Sequence, residues 1–348
     1  MIRALRVLLA PAVGLVFAVV IIQFYGYQAL PTIGVGLQYA LGDPASIART
    51  LAWGLPLALA TVGVTVAFKT GMFTIGAEGQ VYIGALSGAV VGAYLPAVFP
   101  AADQIVPLLA AAAVGALVSA GLGWLKAYWG VDEVLSSLLS NYILLLLCGF
   151  LANGIFKDPA AQSPGATVPV KESALFADIL PRTQLTWVIV IAALVIAVTW
   201  WIVERSTIGY RWKMVGTAPG FARAVGIDVA RARVRSMALS GALCGLAGGV
   251  LVVAGHGRYS TEIAIGLGWV ALMLALISRS KPGLALIWVI VYSIMQSAGR
   301  KIEQIAGVPT EMSLIIICVI LITASSTAGL IGAATIVAAR LRRKVVTR

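Results

Sequence analysis

Residues Gly71–Gln80, GMFTIGAEGQ, separate two long apolar runs and contain three glycines and one carboxylate. An α-helix needs about 20 apolar residues to cross the hydrocarbon core of a membrane. Gly71, Gly76 and Gly79 permit non-helical backbone, which membrane depth tolerates only where protein or a water-filled cavity surrounds it. The stretch therefore predicts a membrane helix that is broken near its start.

The rest of the chain has the composition of a membrane protein. Of its 348 residues, 60% are hydrophobic and 11% are charged, and the mean hydropathy is +0.99. Apolar windows predict about ten transmembrane helices and leave no room for a large soluble domain. We therefore predict an all-α polytopic membrane protein with a single integral domain, 1–348. The predicted spans are 8–28, 48–68, 77–99, 106–125, 134–153, 184–203, 235–254, 263–279, 284–299 and 311–332.

The distribution of basic residues predicts the orientation of these spans. An even number of spans places both termini on one side, and that side carries 18 of the 25 Lys and Arg residues. Because cytoplasmic loops carry the excess of Lys and Arg, we predict cytoplasmic termini. The run 8–28 is longer than the apolar core of a signal peptide, so we interpret it as the first span. The same bias explains the net charge of +12 without a nucleic-acid partner.

Two loops are long enough to be more than turns. The loop 154–183 is rich in Pro, Ser and Ala; we expect it to be extracytoplasmic, with a short helix at 172–180. The loop 204–235 is predicted to be cytoplasmic and carries seven basic residues. Its segment 218–225 has a helical pattern, with a proline near its start and a glycine after its end. We expect a short amphipathic helix along the cytoplasmic face.

Small residues recur at four-residue spacing in three predicted helices. Such rows let helix backbones approach closely in lipid, where packing replaces the hydrophobic driving force. We therefore expect close helix packing at these rows. Their members are Gly84, Gly88 and Gly92; Gly115, Ser119 and Gly123; and Gly241, Gly245 and Gly249.

The topology also predicts two related halves. The first half, spans two to five, starts on the outside, and the second half, spans seven to ten, starts on the inside. Two halves of opposite orientation indicate an inverted repeat. In transporters of this kind, interrupted helices in corresponding positions mark the transport path. The candidates are the third span, preceded by GMFTIGAEGQ, and the eighth, preceded by HGRYSTEIAIGLGW with Glu262.

Polar side chains are few at membrane depth, and ionisable ones there are costly and usually functional or paired. Glu78, Asp132 and Glu133 can each stabilise the N-terminus of a helix, and Asn141 can bond a neighbouring helix. Alternatively, these side chains line or gate a path. The sequence has no phosphate-binding loop, HExxH pair or metal-spaced Cys/His cluster, so we predict that the chain is not an enzyme.

Four segments carry a family resemblance. They are FTIGAEGQVYIGALSGA (73–89), GVDEVLSSLLSNYI (130–143), TIGYRWKMVGTAPGFARAVGI (207–227) and SMALSGALCGLAGG (236–249). Together they resemble ABC-importer permeases of the branched-chain amino acid and ribose class, in the branch for nucleosides and simple sugars. The first is similar to that family's FNIGxEGQ signature, and the third to its cytoplasmic coupling loop. Thr74 and Asp132 each stand where the family usually has Asn, which leaves the substrate open.

The resemblance implies partners. Two permeases form a central path, two ATPase subunits bind ATP and Mg²⁺, and an extracytoplasmic binding protein delivers the solute. This chain then holds no cofactor, contacts lipid in a bacterial cytoplasmic (inner) membrane, and pairs with a different permease in preference to a second copy. The loop 204–235 is expected to seat in a groove of the ATPase. The residues implied to shape it are Gly216, Pro219, Ala222, Arg223 and Gly226.

We therefore predict the permease subunit of an ATP-binding-cassette importer that moves a nucleoside-like or simple-sugar-like solute into the cytoplasm by alternating access. Amides can pair with hydroxyls or base edges, and aromatic rings can stack on them. Whether Glu78 contacts the solute or holds the broken helix stays open at this point. The residues expected to line the path are Glu78, Gln80, Asn141 and Tyr142, with Phe73 and Trp269.

Two other functions fit the sequence less well. An ion-coupled secondary transporter with inverted repeats needs a titratable residue or an ion site inside the membrane, and Glu78 is the candidate. A non-transporting scaffold or sensor would not need polar residues aligned along a path.

Overall fold

The computed structural model describes residues 19, 23, 29–95, 100–161, 165–179, 183 and 185–306. The predicted span 311–332 lies outside these residues, as does 8–28 apart from residues 19 and 23. The chain forms two compact units, Met1–Ile47 with Tyr292–Arg348, and Ala48–Val291.

The described residues form helices and connecting loops, with two isolated β-bridges. A 3₁₀ turn lies at Glu172–Ala174, and a π-helical turn, Val252–His256, follows α9 directly. The α-helices are α1 (Ala29–Leu41), α2 (Pro44–Lys69), α3 (Ala77–Tyr94), α4 (Pro100–Trp129), α5 (Glu133–Asn153), α6 (Val188–Arg205), α7 (Thr207–Thr217), α8 (Pro219–Ala224), α9 (Val229–Leu251), α10 (Leu267–Ile277) and α11 (Pro282–Ala306).

Six of the described helices are long and apolar enough to cross a membrane. They correspond to the predicted spans 48–68, 106–125, 134–153, 184–203, 235–254 and 284–299. The structure thus confirms an all-helical, multi-pass membrane protein, while the total of ten spans stays a prediction. The six segments are Pro44–Lys69, Ala102–Trp129, Glu133–Asn153, Val188–Arg205, Val229–His256 and Pro282–Gln304.

The predicted span 263–279 is wrong in its length. Turns occupy 257–266, and the helix α10 has only 11 residues. At 1.5 Å per residue, such a helix reaches about 17 Å, roughly half of the hydrocarbon core. Gly266, with φ of +75°, lies in the left-handed region and precedes its first turn. The apolar pattern predicted a full span because hydropathy does not register this turn.

Two further helices are shorter than predicted. The third span, predicted over 77–99, is a helix that ends at Tyr94 and begins with the polar residues AEGQ, and it is not among the six apolar spans. The helix predicted at 172–180 is wrong, because the chain makes a single 3₁₀ turn there, Glu172–Ala174. The loop satisfies its backbone through contacts with other segments instead.

Glycine contacts build the core of the larger unit from α3, α4 and α9. A methyl group added to Gly84 would lie 2.5 Å from Gly245 Cα, and one added to Gly115 would lie 2.9 Å from the same atom. Gly241 likewise faces the backbone of Gly115. These distances leave no space for a side chain, so the helix backbones touch. The close packing predicted from the glycine rows is confirmed.

The loop predicted over 154–183 folds back on the segment that follows α9. The Val170 N–H donates to the Gly257 carbonyl at 2.8 Å, and Arg258 forms an ion pair with Asp158 at 3.2 Å. These contacts tie the loop to the turn that leads toward α10.

In the smaller unit, α1 packs against the C-terminal part of α11. A methyl group added to Gly36 would lie 2.9 Å from Ile302 Cγ1. The ammonium group of Lys301 lies 5.1 Å from the centre of the Tyr39 ring, within the range of a cation–π interaction.

Gly115→Ala is expected to destabilise the protein, because the added methyl group would overlap the Gly241 carbonyl oxygen. Overpacking of this kind typically costs about 1–3 kcal/mol. Thermal unfolding of the purified protein in detergent measures the effect. Gly121→Ala on the same helix is the matched control, since no atom lies within 4 Å of its added methyl group. Equal stability of the two variants would contradict direct backbone packing.

Candidate functional site

The candidate site lies at the break between α2 and α3. Residues 71–76 are not helical, and Gly71 has φ of +73°. The Phe73 ring stacks on Phe68 at 5.1 Å between ring centres. The hydroxyl of Thr74, the residue that replaces the family's Asn, accepts a hydrogen bond from the Gly76 N–H at 3.3 Å. The Gly71 and Met72 N–H groups donate to carbonyls at the end of α2. The remaining amide groups need partners from elsewhere, since buried backbone groups are rarely left unpaired.

The helix α5 supplies two of these partners. Ser137 Oγ accepts a hydrogen bond from the Ile75 N–H at 3.0 Å, and Asn141 Oδ1 accepts one from the Gly79 N–H. Both side chains are buried, and their four-residue spacing places them on one face of the helix. Asn141 thus bonds a neighbouring helix, which is one of the two roles predicted for it. Its other predicted role, lining a transport path, stays a prediction.

Glu78 joins the start of α3 to the start of α10. Its Oε1 accepts a hydrogen bond from the Gly266 N–H at 2.7 Å, and its Oε2 accepts from Gly268 and Trp269 at 3.1 and 3.3 Å. The first amides of a helix have no intrahelical partner, and the helix dipole favours a negative charge beside them. The buried carboxylate therefore caps the N-terminus of a helix other than its own.

The starts of α3 and α10 are also in direct backbone contact. A methyl group added to Gly268 would lie 2.7 Å from Glu78 Cβ and still closer to the Glu78 backbone. The segments 71–76 and 257–266 that precede the two helices are both non-helical. Two interrupted helices therefore begin at one place inside the protein, although the inverted repeat itself stays a prediction.

Gln80 is buried without a hydrogen-bond partner among the described residues. Its side chain is 1% exposed, and neither its Oε1 nor its Nε2 is paired. Leaving a buried polar group unsatisfied costs about 1–3 kcal/mol. A buried amide without a partner therefore calls for an explanation. One is that water, or a ligand bound in another conformation of the protein, supplies the hydrogen bonds.

The remaining path candidates differ in exposure. Trp269 lies beside Glu78 through its backbone, and its side chain is 39% exposed. Tyr142 follows Asn141 on α5, and its side chain is 57% exposed. The structure thus gathers Glu78, Trp269 and Asn141 around the start of α3 and leaves Tyr142 on the outer side of α5.

Asp132 caps the N-terminus of α5. Its Oδ1 accepts hydrogen bonds from the Val134 and Leu135 N–H groups at 3.0 and 2.9 Å. The next residue, Glu133, pairs with Lys126 at 2.5 Å. The contacts of Asp132 match its helix-end interpretation, whereas Glu133 lies in the first turn of α5 and forms an ion pair; a gating role of either acid stays a prediction.

The predicted coupling residues lie on or beside α7 and α8, between α6 and α9. Pro219 begins α8, Ala222 is buried and Arg223 is exposed. Gly226, with φ of +82°, follows the end of the helix. The short helix predicted over 218–225 is thereby confirmed as Pro219–Ala224.

Neither α7 nor the role of Ser137 was predicted from the sequence. Ser206 is the N-cap of α7 and accepts a hydrogen bond from the Gly209 N–H at 3.3 Å, so a serine before a helical pattern was the available signal. The spacing of Ser137 and Asn141 was the signal on α5. The partners of Glu78 left no such signal, because Gly266 is 188 residues away.

Comparisons with known proteins agree with this architecture. Residues 46–325 match the family described as branched-chain amino acid transport system / permease component. The chain is 30% identical over 332 residues to the glucose ABC transporter permease protein of Haloferax volcanii, covering 90% of this chain and 83% of that relative.

Two further relatives align along nearly their whole length. The nucleoside ABC transporter permease protein of Lactococcus lactis is 26% identical over 335 residues, which cover 91% of this chain and 90% of the relative. The guanosine ABC transporter permease protein of Bacillus subtilis is 27% identical over 340 residues, which cover 94% and 95%. No solved structure matches the chain.

Glu78→Gln is expected to destabilise the protein, because it removes the charge and one of the two acceptor oxygens at the start of α10. At least one buried N–H group then loses its partner, which costs about 1–3 kcal/mol. The thermal unfolding midpoint in detergent measures the loss. Glu262→Gln, which removes the same charge from an exposed side chain, is the control. Equal midpoints for the two variants would refute the capping role.

Proposed function

The chain belongs to the branched-chain amino acid transport system / permease component family and is an ABC transporter permease subunit; from this premise we propose that it imports a nucleoside-like or simple-sugar-like solute by alternating access. The related proteins named above carry glucose, nucleoside and guanosine in their names, which supports this solute class. The excess of Lys and Arg supports an inner-membrane orientation with cytoplasmic termini.

The observation that carries the proposal is the unpaired amide of Gln80. A site that hydrogen-bonds a solute hydroxyl or base edge discriminates strongly against solutes that lack the group. In the described conformation this amide is buried, as expected for a path that is closed at this point. We infer that opening of the path at α3 presents the amide to the solute.

The other candidates take different roles in this proposal. Glu78 and Asn141 hold the start of α3, since both already pair with backbone N–H groups. Trp269 and Tyr142 have exposed side chains, which supports their contact with solute or with the second permease. Phe73 is partly exposed and stacks on Phe68, which leaves part of its ring for contact with a solute.

The broken helices support alternating access. Discontinuous helices near the membrane centre form the binding sites of many transporters, and rigid movement of one half against the other opens each side in turn. Here, α3 and α10 meet through one carboxylate and a backbone contact. Contacts of this kind can separate or shift as a unit without unfolding either helix.

The segment α7–α8 is the proposed ATPase contact. The Phe221 side chain is 59% exposed although it lies on a short helix of an otherwise basic loop. A cavity of about 910 Å³ lies between α7, α8 and the start of α9, and Phe221, Arg211 and Arg235 are among its lining residues. An exposed aromatic beside basic side chains suits a protein partner. ATP and Mg²⁺ would bind that partner.

The remaining partners follow from the same proposal. A second permease, favoured as a different chain, completes the path. An extracytoplasmic binding protein would dock on the side of the loop 154–183, which the contact between Val170 and Gly257 holds in a defined position.

The ion-coupled alternative is weakened by the contacts of Glu78. A carboxylate that accepts three backbone hydrogen bonds serves as a helix cap, and little of its acceptor capacity is left for a transported ion.

The complex isolated from its native membrane, with its subunits identified by mass, is expected to contain ATPase chains. In vesicles, it should accumulate labelled nucleoside or glucose when ATP is present, and an ionophore should not reduce the uptake. Uptake that an ionophore abolishes and that does not need ATP would overturn the proposal in favour of the secondary transporter.

Gln80→Leu separates a path role from a structural one. Leucine has a similar volume and removes an unpaired buried amide, so the unfolding midpoint should stay equal or rise. Uptake by the assembled complex should nevertheless fall at least about tenfold, the effect of about 1.4 kcal/mol lost from solute recognition. Gln38→Leu, at an exposed glutamine on α1, is the control. Unchanged uptake by the Gln80 variant would remove the main support for the path.

A further inference from the structure

The end of α7 rests directly on the backbone that leads into the break. A methyl group added to Gly216 would overlap the Lys69 carbonyl oxygen and would lie 3.0 Å from the Gly71 nitrogen. A methyl group added to Gly71 would in turn lie 3.4 Å from Gly216 Cα. Glycine at position 216 therefore lets the two backbones meet, while Gly71 provides the left-handed backbone with φ of +73°. This Gly71–Gly216 contact connects α7 to the first residue of the break.

Side-chain bonds fix the end of α2 at this contact. Lys69 Nζ pairs with Glu204 at the end of α6 at 2.7 Å. Thr70 Oγ1 lies 2.6 Å from Ser236 Oγ on α9, and both hydroxyls are buried. Residues 69–71 are thus held by three helices at once, and a displacement of α7 must be carried by this segment.

The helices α7 and α8 are separated by a single residue, so we expect them to move together. Trp212 and Val215 of α7 are buried, and only Ala218, whose N–H donates to the Met214 carbonyl at 2.9 Å, separates α7 from α8. Pro219 restricts the backbone at the start of α8. A force on α8 is therefore delivered to the end of α7, where Gly216 lies.

The other side of the contact leads to the site. Gly71 is followed by the non-helical residues 72–76 and then by the first turn of α3, which carries Glu78 and Gln80. Ser137 holds Ile75 in the non-helical segment and Asn141 holds Gly79 in the first turn, each through one hydrogen bond. Non-helical backbone held by a few bonds can change conformation at much lower cost than the helices on either side.

We propose that the Gly71–Gly216 contact is the joint through which movement of α8 reaches the start of α3. The inference rests on the proposed docking of an ATPase on α8, and it adds the route by which that docking would change the site. Gly216 then acts as a positioning residue, because it touches neither nucleotide nor solute.

Gly216→Ala in the complete complex tests the joint, because the added methyl group must push α7 away from Lys69. The ATPases should still co-purify and hydrolyse ATP, while solute uptake per ATP hydrolysed should fall at least about tenfold. Gly149→Ala, whose methyl group meets no atom within 4 Å, is the control and should match the wild type in all three measurements. Uptake per ATP hydrolysed that stays within twofold of the control would overturn the proposal that this contact is the joint.

A second variant separates transmission from docking. Phe221→Ala should weaken co-purification of the ATPases and lower hydrolysis and uptake together, because it removes the exposed aromatic of α8. If Phe221→Ala instead leaves the ATPases bound and reproduces the loss of uptake per ATP, the assignment of the joint to Gly216 is refuted.

Hydrogen–deuterium exchange of the wild-type complex tests the joint without any variant. Amides of residues 71–80 should exchange at different rates in the nucleotide-free and the vanadate-trapped ATP states. Equal exchange rates in the two states throughout residues 71–80 would overturn the proposed joint, even if the Gly216→Ala variant fails to assemble. The absence of ATP-driven uptake by the wild type would instead refute the proposed function, and this exchange measurement does not depend on uptake.

Discussion

A buried backbone N–H in a membrane protein must find an acceptor, because the hydrocarbon core offers no water to replace it. Where α3 and α10 are interrupted, nearby backbone carbonyls meet part of this requirement, as for the Gly71 and Met72 N–H groups, and side chains meet another part. Ser137 meets it for Ile75 in the segment before α3, and Asn141 meets it in the first turn of α3. The Glu78 carboxylate meets it for three N–H groups at the start of α10. Acceptors on α5 therefore help to stabilise the interruption before α3, and the Glu78 carboxylate helps to hold the start of α10.

The glycine contacts of α3, α4 and α9 supply the rigid frame for this arrangement. Gly84 and Gly115 both face Gly245, so three backbones meet without intervening side chains. Packing at this distance leaves little freedom for sliding, because interiors of this density change arrangement in discrete steps. The frame holds the body of α3 while the break before it is held by single hydrogen bonds. Closely packed helix and non-helical backbone thus adjoin at Ala77, where the proposed transport cycle would place a hinge.

What the sequence predicted correctly was encoded locally. Hydropathy located six spans, the glycines of residues 71–80 indicated the break, and Pro219 with Gly226 bounded α8, because each signal lies within a few residues of the structure it produces. The half-length of α10 and the cap that Glu78 provides depend on segments 188 residues apart. No local pattern records such a contact. The prediction of a helix at 172–180 was wrong for a related reason. Backbone N–H groups of this loop donate to carbonyls of the segment that follows α9.

Glu78 and Gln80 lie in the same turn of α3, but only the Glu78 side chain is hydrogen-bonded. Successive residues of a helix are rotated by about 100°, so positions 78, 79 and 80 face three different sides of α3. The Glu78 side chain bonds the start of α10, the Gly79 N–H bonds Asn141 on α5, and the Gln80 side chain forms no hydrogen bond with either helix. A chain that recruits a serine, an asparagine and a glutamate to satisfy its backbone leaves one buried amide unpaired beside them. Glu78 and Gly79 are therefore both bonded to neighbouring helices, and the Gln80 side chain is the one in this turn that is left for the proposed contact with a solute.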